Sequence, residues 1–488
     1  MKKEDKEGER SGTKGLLKGA ATIAAGGFLA KVIGALYRIP LTNIIGGRGL
    51  GLYQMAYPLY CLLLTLSATG IPSAIAAASA ARLGRGESDE GVLKAALRLF
   101  LTVGGIGSLL MCALAPILSR AQGEPLLLKG YLALAPAVFL TSAISVFRGW
   151  FQGRNKMSPT AQSEVVEQLV KVGLGLLFAK LFEGRIYTAV AGLLLAVTLS
   201  EAVTLLFLIL RFRRVPAPFL SLREAPPTKV KSLLSLTLPL AFSGGLTPLS
   251  GLVDSVWVVR ILSRYSQDAV ALYGLFSGGA VTVVNLPVSV CYGIAAASVP
   301  AVAAIADPKR RRRKILSALG LTVGLGGLGA AALYLFAPTA VGILFRSLAT
   351  EEKRIMIRLI RTFSVSALTL SGVQTLAACL TAQGKPKYAA LSVGVGVTVK
   401  TLLSVLLVSN PKIGVFGLPI AANICYLLAF ALNFVYNLYM TKSGDTPRER
   451  TKKSKEKANN DHSGWIGRAC GRFNGKRQTG DRGGGAGG

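Results

Sequence analysis

Twelve stretches of about 20 predominantly apolar residues recur along this chain, and each is long enough to cross a hydrocarbon layer roughly 30 Å thick. They run at 16–36, 52–81, 92–118, 130–150, 159–182 and 187–210, and then at 233–259, 272–306, 315–336, 355–382, 388–408 and 415–439. Within a bilayer the backbone finds no water to bond, so segments of this length and composition must be helices. Only 16% of the 488 residues are charged, well below the roughly 25% of soluble domains. The expectation is an all-α polytopic membrane protein with about twelve transmembrane helices.

The two halves resemble one another. Leu52-Tyr53 leads to Ile75-Ala-Ala-Ala-Ser79, and Leu272-Tyr273 leads to Ile294-Ala-Ala-Ala-Ser298, an offset of about 220 residues shared by Arg38 and Arg260. Gln152-Gly153 followed by Lys156 recurs as Gln383-Gly384 followed by Lys385. Six helices is an even number, so the two units enter the membrane in the same sense and form a parallel repeat of two six-helix lobes around a central cleft. The boundaries read as a cytoplasmic N-terminal segment 1–15, a first lobe 16–210, a connector 211–231 rich in proline and arginine, a second lobe 232–440 and a tail 441–488.

The net charge of +33 bears on topology and partners. Lys and Arg accumulate in alternate loops, which places both termini in the cytoplasm. The tail holds 12 Lys and Arg against 5 acidic residues and reads as a disordered arm suited to anionic membrane lipids or to cell-envelope synthesis proteins. Its aromatics are sparse and it carries no recognised nucleic-acid module, so no nucleic acid is expected as a partner. The single histidine, His462, lies in that tail, no CxxC pair occurs among six cysteines, and no GxxxxGK[ST] loop is present. A His-based triad, a zinc site and an ATP-driven pump are thereby set aside, and neither an enzyme nor a cofactor is expected.

Function then rests on ionisable groups inside apolar stretches, which are costly unless they face a cavity or a partner. Lys31 and Arg38 are seven apart, two turns along one helical face, and suit an extended anion; the alternative is that both snorkel to opposite head-group layers. Asp254 and Arg260 stand at the repeat-equivalent place, with Asp254 the candidate for Na⁺ or proton coupling or else a structural partner for a nearby cation. Glu164, Glu167 and Lys171 share one helical face and, with Arg148, either line a cytoplasmic vestibule or neutralise one another against a neighbouring helix.

Certain segments carry a family resemblance. Leu36-Tyr-Arg-Ile-Pro-Leu41, Gly51-Leu-Tyr53, Ala56-Tyr-Pro-Leu-Tyr60, Gly70-Ile-Pro72, Phe147-Arg-Gly-Trp-Phe-Gln-Gly153, and Met157-Ser-Pro-Thr-Ala161 through Glu167-Gln168 resemble the stage V sporulation protein B family of polysaccharide-biosynthesis proteins, relatives of the MurJ-like lipid II flippases. The resemblance covers 14–439 and implies the fold of the multidrug, oligosaccharidyl-lipid and polysaccharide exporters, with a V-shaped cleft between two lobes. It also implies a lipid-linked glycan as substrate, its pyrophosphate held by basic residues for which Lys31 and Arg38 occupy the matching segment. The sequence departs from that pattern near Asn285-Leu-Pro287, where such flippases carry a basic residue; Arg260 is the candidate substitute. Twelve helices also fall short of the fourteen of typical MurJ proteins, a departure that bears on the dedicated extra lipid groove. The other readings are an ion-coupled multidrug or cation antiporter of the same superfamily and a non-transporting scaffold of spore envelope assembly. An antiporter calls for more acidic than basic cavity groups.

Overall fold

A computed structural model of the protein describes residues 2–68, 70–214, 230–305 and 307–442. Most of the expected connector (215–229) and of the tail (443–488) lies outside the described residues, as do the side chains of segment 1–15. Among the described residues the regular elements are all helical. The first half comprises α1 (Lys2–Ala68), α2 (Ile71–Leu83), α3 (Glu90–Ala121), α4 (Leu128–Gly153), α5 (Ser158–Leu181) and α6 (Ile186–Arg213). The second comprises α7 (Val230–Leu262), α8 (Ala269–Gly274), α9 (Val281–Ala303), α10 (Pro308–Leu344), α11 (Thr350–Phe363), α12 (Val365–Ala382), α13 (Pro386–Val408) and α14 (Gly417–Lys442); a π-helical turn, Leu275–Ala280, joins α8 to α9.

The apolar stretches and the helices do not coincide one for one. The first two stretches belong to one run kinked at Gly46, whose φ of 68° is open to glycine at little cost, while a Cβ there would meet nothing within 4 Å. The second stretch breaks at Gly70 (φ 82°), and α2 restarts with Pro72 in its first turn, where a missing N–H costs no helical bond. Among the described residues ten stretches are long and apolar enough to cross a membrane. One of them, Ala25–Leu83, is 59 residues long, whereas α5 is not among the ten because Glu164, Glu167, Lys171 and Lys180 fall within it.

The packing repeats. In the first half α1 lies on α5, α3 on α4, and α6 on both α4 and α5; in the second, α7 lies on α13, α10 on α12, and α14 on both α12 and α13. The halves meet chiefly where α1 touches α7, α8 and α9. Outward faces are apolar: Ile106, Leu109 and Ile117 of α3, Leu328 and Leu335 of α10, and Leu402 and Leu406 of α13 are all exposed, as lipid contact requires.

One end of the bundle is tied shut. Asn43 donates from Nδ2 to the Leu344 carbonyl (2.8 Å), and the Ser347 hydroxyl donates to the Asn43 carbonyl (2.6 Å). Arg48 reaches Glu124 in the first half (2.9 Å) and Asp268 in the second (3.7 Å). Between them α1 and α8 cross at backbone distance, since a Cβ on Gly274 would lie 2.4 Å from the Gly51 nitrogen. Small residues are what allow such a crossing.

Candidate anion site in the cleft

A cavity of about 500 Å³ lies between the halves. Its α1 wall presents Lys31 and Arg38, its α9 wall Thr282, Asn285, Ser289 and Tyr292, and α5 contributes Gln168 and Lys171. The seven-residue spacing on α1 does what it predicts, setting two cations on the face turned to the cleft. Arg38 donates from Nη1 to the Thr282 hydroxyl at 2.8 Å, and the Lys31 ammonium sits 3.5 Å from the centre of the Tyr292 ring. Among the described residues neither cation has a carboxylate within ion-pair distance. Lys171 has one, Glu167, at 3.8 Å.

Small residues place α5 close enough to contribute. A Cβ on Gly26 would lie 2.7 Å from that of Ala161, and one on Gly34 would lie 3.0 Å from Gln168 Oε1, so α1 and α5 are in near-backbone contact. Of the expected vestibule set only Lys171 lines the cavity. Arg148 and Glu167 lie behind it, half-buried between α4 and α5, paired at 3.1 Å, with Arg148 Nε also donating to the Ser163 hydroxyl at 2.9 Å. Glu164 lies beside Gly27 with its Oε2 buried and, among the described residues, without a hydrogen-bond partner. Glu167 is thus neutralised within the set, and Lys171 is the member left facing the cleft.

Arg260 is elsewhere. It stands two residues before the end of α7 and lines a separate cavity of about 380 Å³ at the tied end, with Arg48, Arg120, Glu124 and Asp268. Arg38, by contrast, is eight residues short of the Gly46 kink, so an equal offset in sequence does not give an equal depth. Arg260 therefore does not supply the cation missing near Asn285, and the wall there is neutral.

Asp254 already has its cation. The carboxylate is buried and ion-paired with Lys400 of α13, whose ammonium also donates to the Ser250 hydroxyl at 3.1 Å. The pair borders a largely apolar cavity of about 520 Å³ lined by Pro58, Phe276, Phe363 and Tyr426. Among the described residues Asp254 Oδ1 has no hydrogen-bond partner. Lys400 is 146 residues from Asp254, so no local spacing announces the pair.

The cleft holds cations, hydroxyls and amides, and among the described residues no group of three or more His, Cys, Asp or Glu side chains is arranged to hold a metal ion. Such a surface offers an anion charge-assisted hydrogen bonds.

The model of the polysaccharide biosynthesis protein family matches residues 16–306. The chain is 28% identical over 422 residues to stage V sporulation protein B of Bacillus subtilis (strain 168), covering 83% of this chain and 80% of that protein. It is 24% identical over 460 residues to the lipid II flippase MurJ of the same organism, covering 86% and 82%. Among solved structures, an inward-facing multidrug resistance MATE family transporter of the MOP superfamily superposes with a TM-score of 0.73 at 18% identity, over 87% of this chain and 98% of that one. An outward-facing structure of such a transporter gives 0.65 at 18% identity, over 88% and 96%. With the family model matched over more than half its length, the chain belongs to the polysaccharide biosynthesis protein family, and it is a multi-pass membrane protein with the fold of the MOP-superfamily transporters.

Proposed function

We propose that the protein is an alternating-access flippase that carries an undecaprenyl-pyrophosphate-linked glycan, lipid II or a related cell-envelope precursor, from the cytoplasmic to the outer leaflet. The observation that carries this reading is the pair Lys31 and Arg38, two cations in the cleft between the halves with no carboxylate at ion-pair distance among the described residues. A pyrophosphate is an extended dianion and can engage groups two helical turns apart, with Lys171 completing the basic set. The kinship with stage V sporulation protein B and with the lipid II flippase MurJ supports the substrate class. Both termini are cytoplasmic on the distribution of Lys and Arg, so the tied end faces outward and the cleft receives substrate from the cytoplasmic leaflet. No covalent bond changes; the work is to shield a charged head group from hydrocarbon while the halves rock about it.

The test is reconstitution in liposomes with fluorescent lipid II, following the label that becomes accessible on the opposite leaflet. Movement by the native protein and its loss in the Lys31→Ala, Arg38→Ala variant, with the variant inserted and folded, is the expected result. Equal movement by both proteins would sink the assignment of the site. No movement by either would sink the choice of substrate.

A further inference from the structure

Midway along α6, inside a membrane-spanning stretch, stands a carboxyl group that the cleft does not explain. Glu201 is 3% exposed. Among the described residues its Oε1 accepts one long hydrogen bond, 3.3 Å from the Tyr60 hydroxyl, and its Oε2 has no hydrogen-bond partner. An ionised carboxylate offers about four lone-pair sites, and burying it with one weak donor is among the costliest arrangements a membrane helix can hold.

The elements packed on α6 are α1, α4, α5 and the short turn Pro125–Leu127. From α1 comes Tyr60; from α4 come Thr141, whose hydroxyl lies 3.4 Å from that of Tyr60, and Arg148; from α5 come Glu167 and Lys171. The turn supplies no titratable group. Both cations are held by Glu167 (3.1 and 3.8 Å), and neither forms an ion pair with Glu201. Its surroundings are therefore one weak donor and two cations that another acid holds.

The cleft can change them. Lys171 lines the anion cavity while holding Glu167 from behind, and Tyr57, in the same cavity wall, packs against Tyr60 with ring centres 5.5 Å apart. We infer that Glu201 is a proton-binding site linked to the cleft, taking up a proton from water when an anion draws Lys171 away from Glu167 and releasing it when the anion leaves. The inference rests on the flippase reading for the identity of the anion, not for the site itself. Linkage is reciprocal, so lipid II binds more tightly as pH falls, by at most tenfold per pH unit for one proton.

The purified full-length chain and its Glu201→Gln variant are compared in detergent by infrared difference spectroscopy across the pH range in which both stay folded. Calorimetry with lipid II follows, in two buffers of different ionisation enthalpy. The expected results are a carboxyl C=O band lost in the variant and uptake approaching one proton per lipid II by the native protein alone. Tyr60→Phe, which removes the hydrogen bond and keeps the carboxyl, should shift that band without abolishing it. Absence of a Glu201-dependent carboxyl band at every pH overturns the proton site, whatever lipid II does. Equal proton uptake by both proteins overturns its link to the cleft. If neither protein binds lipid II, the flippase reading falls and the infrared band still decides Glu201.

Discussion

Replacing Lys400 by Met isolates a charge that the fold has taken care to compensate. Asp254 and Lys400 have side chains 8% and 15% exposed, so solvent does little to screen either, and their surroundings include Pro58, Phe276 and Phe363. Removing one member of such a pair costs about 3–5 kcal/mol, because the remaining charge is buried without a counter-ion, whereas replacing both with neutral groups of similar volume is close to neutral. For a unit the size of the second half, at roughly 2–4 °C per kcal/mol, Lys400→Met should lower the melting temperature by roughly 6–20 °C. The double variant Asp254→Asn, Lys400→Met should recover most of that loss. Thermal unfolding in detergent, read by the fluorescence of a thiol dye on the buried cysteines, measures all three proteins. Sodium adds a second axis. With Lys400 in place, replacing choline by Na⁺ should leave the native protein unmoved, while Lys400→Ala leaves space beside Asp254 and should be stabilised selectively by Na⁺. If the single and double variants melt together, the pair is not what holds this region. If Na⁺ stabilises the native protein, Lys400 is not standing where a cation would bind.

Three further outcomes are expected. Loss of Lys31 and Arg38 together removes two charge-assisted contacts of about 1.5–3 kcal/mol each, so lipid II affinity measured in detergent should fall by about 10² to 10⁴-fold. Cysteines at Asn43 and Ser347, whose native side chains are hydrogen-bonded across the tied end, should cross-link on oxidation and stop lipid II movement until reductant is added; a cross-linked protein that still flips would remove alternating access from the account. Gly274→Ala sets a methyl group 2.4 Å from the backbone of Gly47 and Gly51, which should force α8 from α1 at a cost of about 1–3 kcal/mol and raise the thiol reactivity of a cysteine at 347; an unchanged melting temperature would show that the crossing is looser than drawn.

How far the sequence is legible depends on whether the information is local. Lys31 and Arg38 lie on one helix seven residues apart, and the helical repeat alone predicts that they share a face; the structure places both in the cleft. The grouping of Glu167 with Lys171 is local in the same way. What that spacing cannot say is how much of the stripe a neighbour covers, and Arg148 of α4 decides that by taking Glu167 from behind. The partner of Asp254 is 146 residues distant and is chosen by the packing of α13 on α7, which no periodicity encodes. Arg260 misleads because equal sequence offsets imply equal depths only if both helices end at the same register, and the run through Gly46 continues past the point where α7 stops. The break at Gly70 was written plainly in Gly-Ile-Pro, yet apolar character alone carries the stretch through it. Glu201 had a signal too: it is the only charged residue in the apolar run 187–210. Attention to cations, the expected ligands of a phosphate, passes over a lone acid.

The two halves share an architecture and divide the charge unequally, and that division favours an anion over a cation as cargo. In the second half the buried acid is ion-paired with Lys400, leaving a mostly apolar cavity with no net charge. In the first half Glu167 takes up Arg148 and Lys171, while Lys31 and Arg38 keep to a hydroxyl and an aromatic ring, contacts that an incoming phosphate can displace or share. A cationic substrate entering the same cleft would meet two like charges, where repulsion at about 4 Å amounts to about 4 kcal/mol per pair for an effective dielectric constant near 20. An anion gains by a similar amount from each. Both cations belong to α1, the helix that touches α5 in its own half and α7, α8 and α9 in the other. Neutralising them would therefore act on the element that makes most of the contact between the halves.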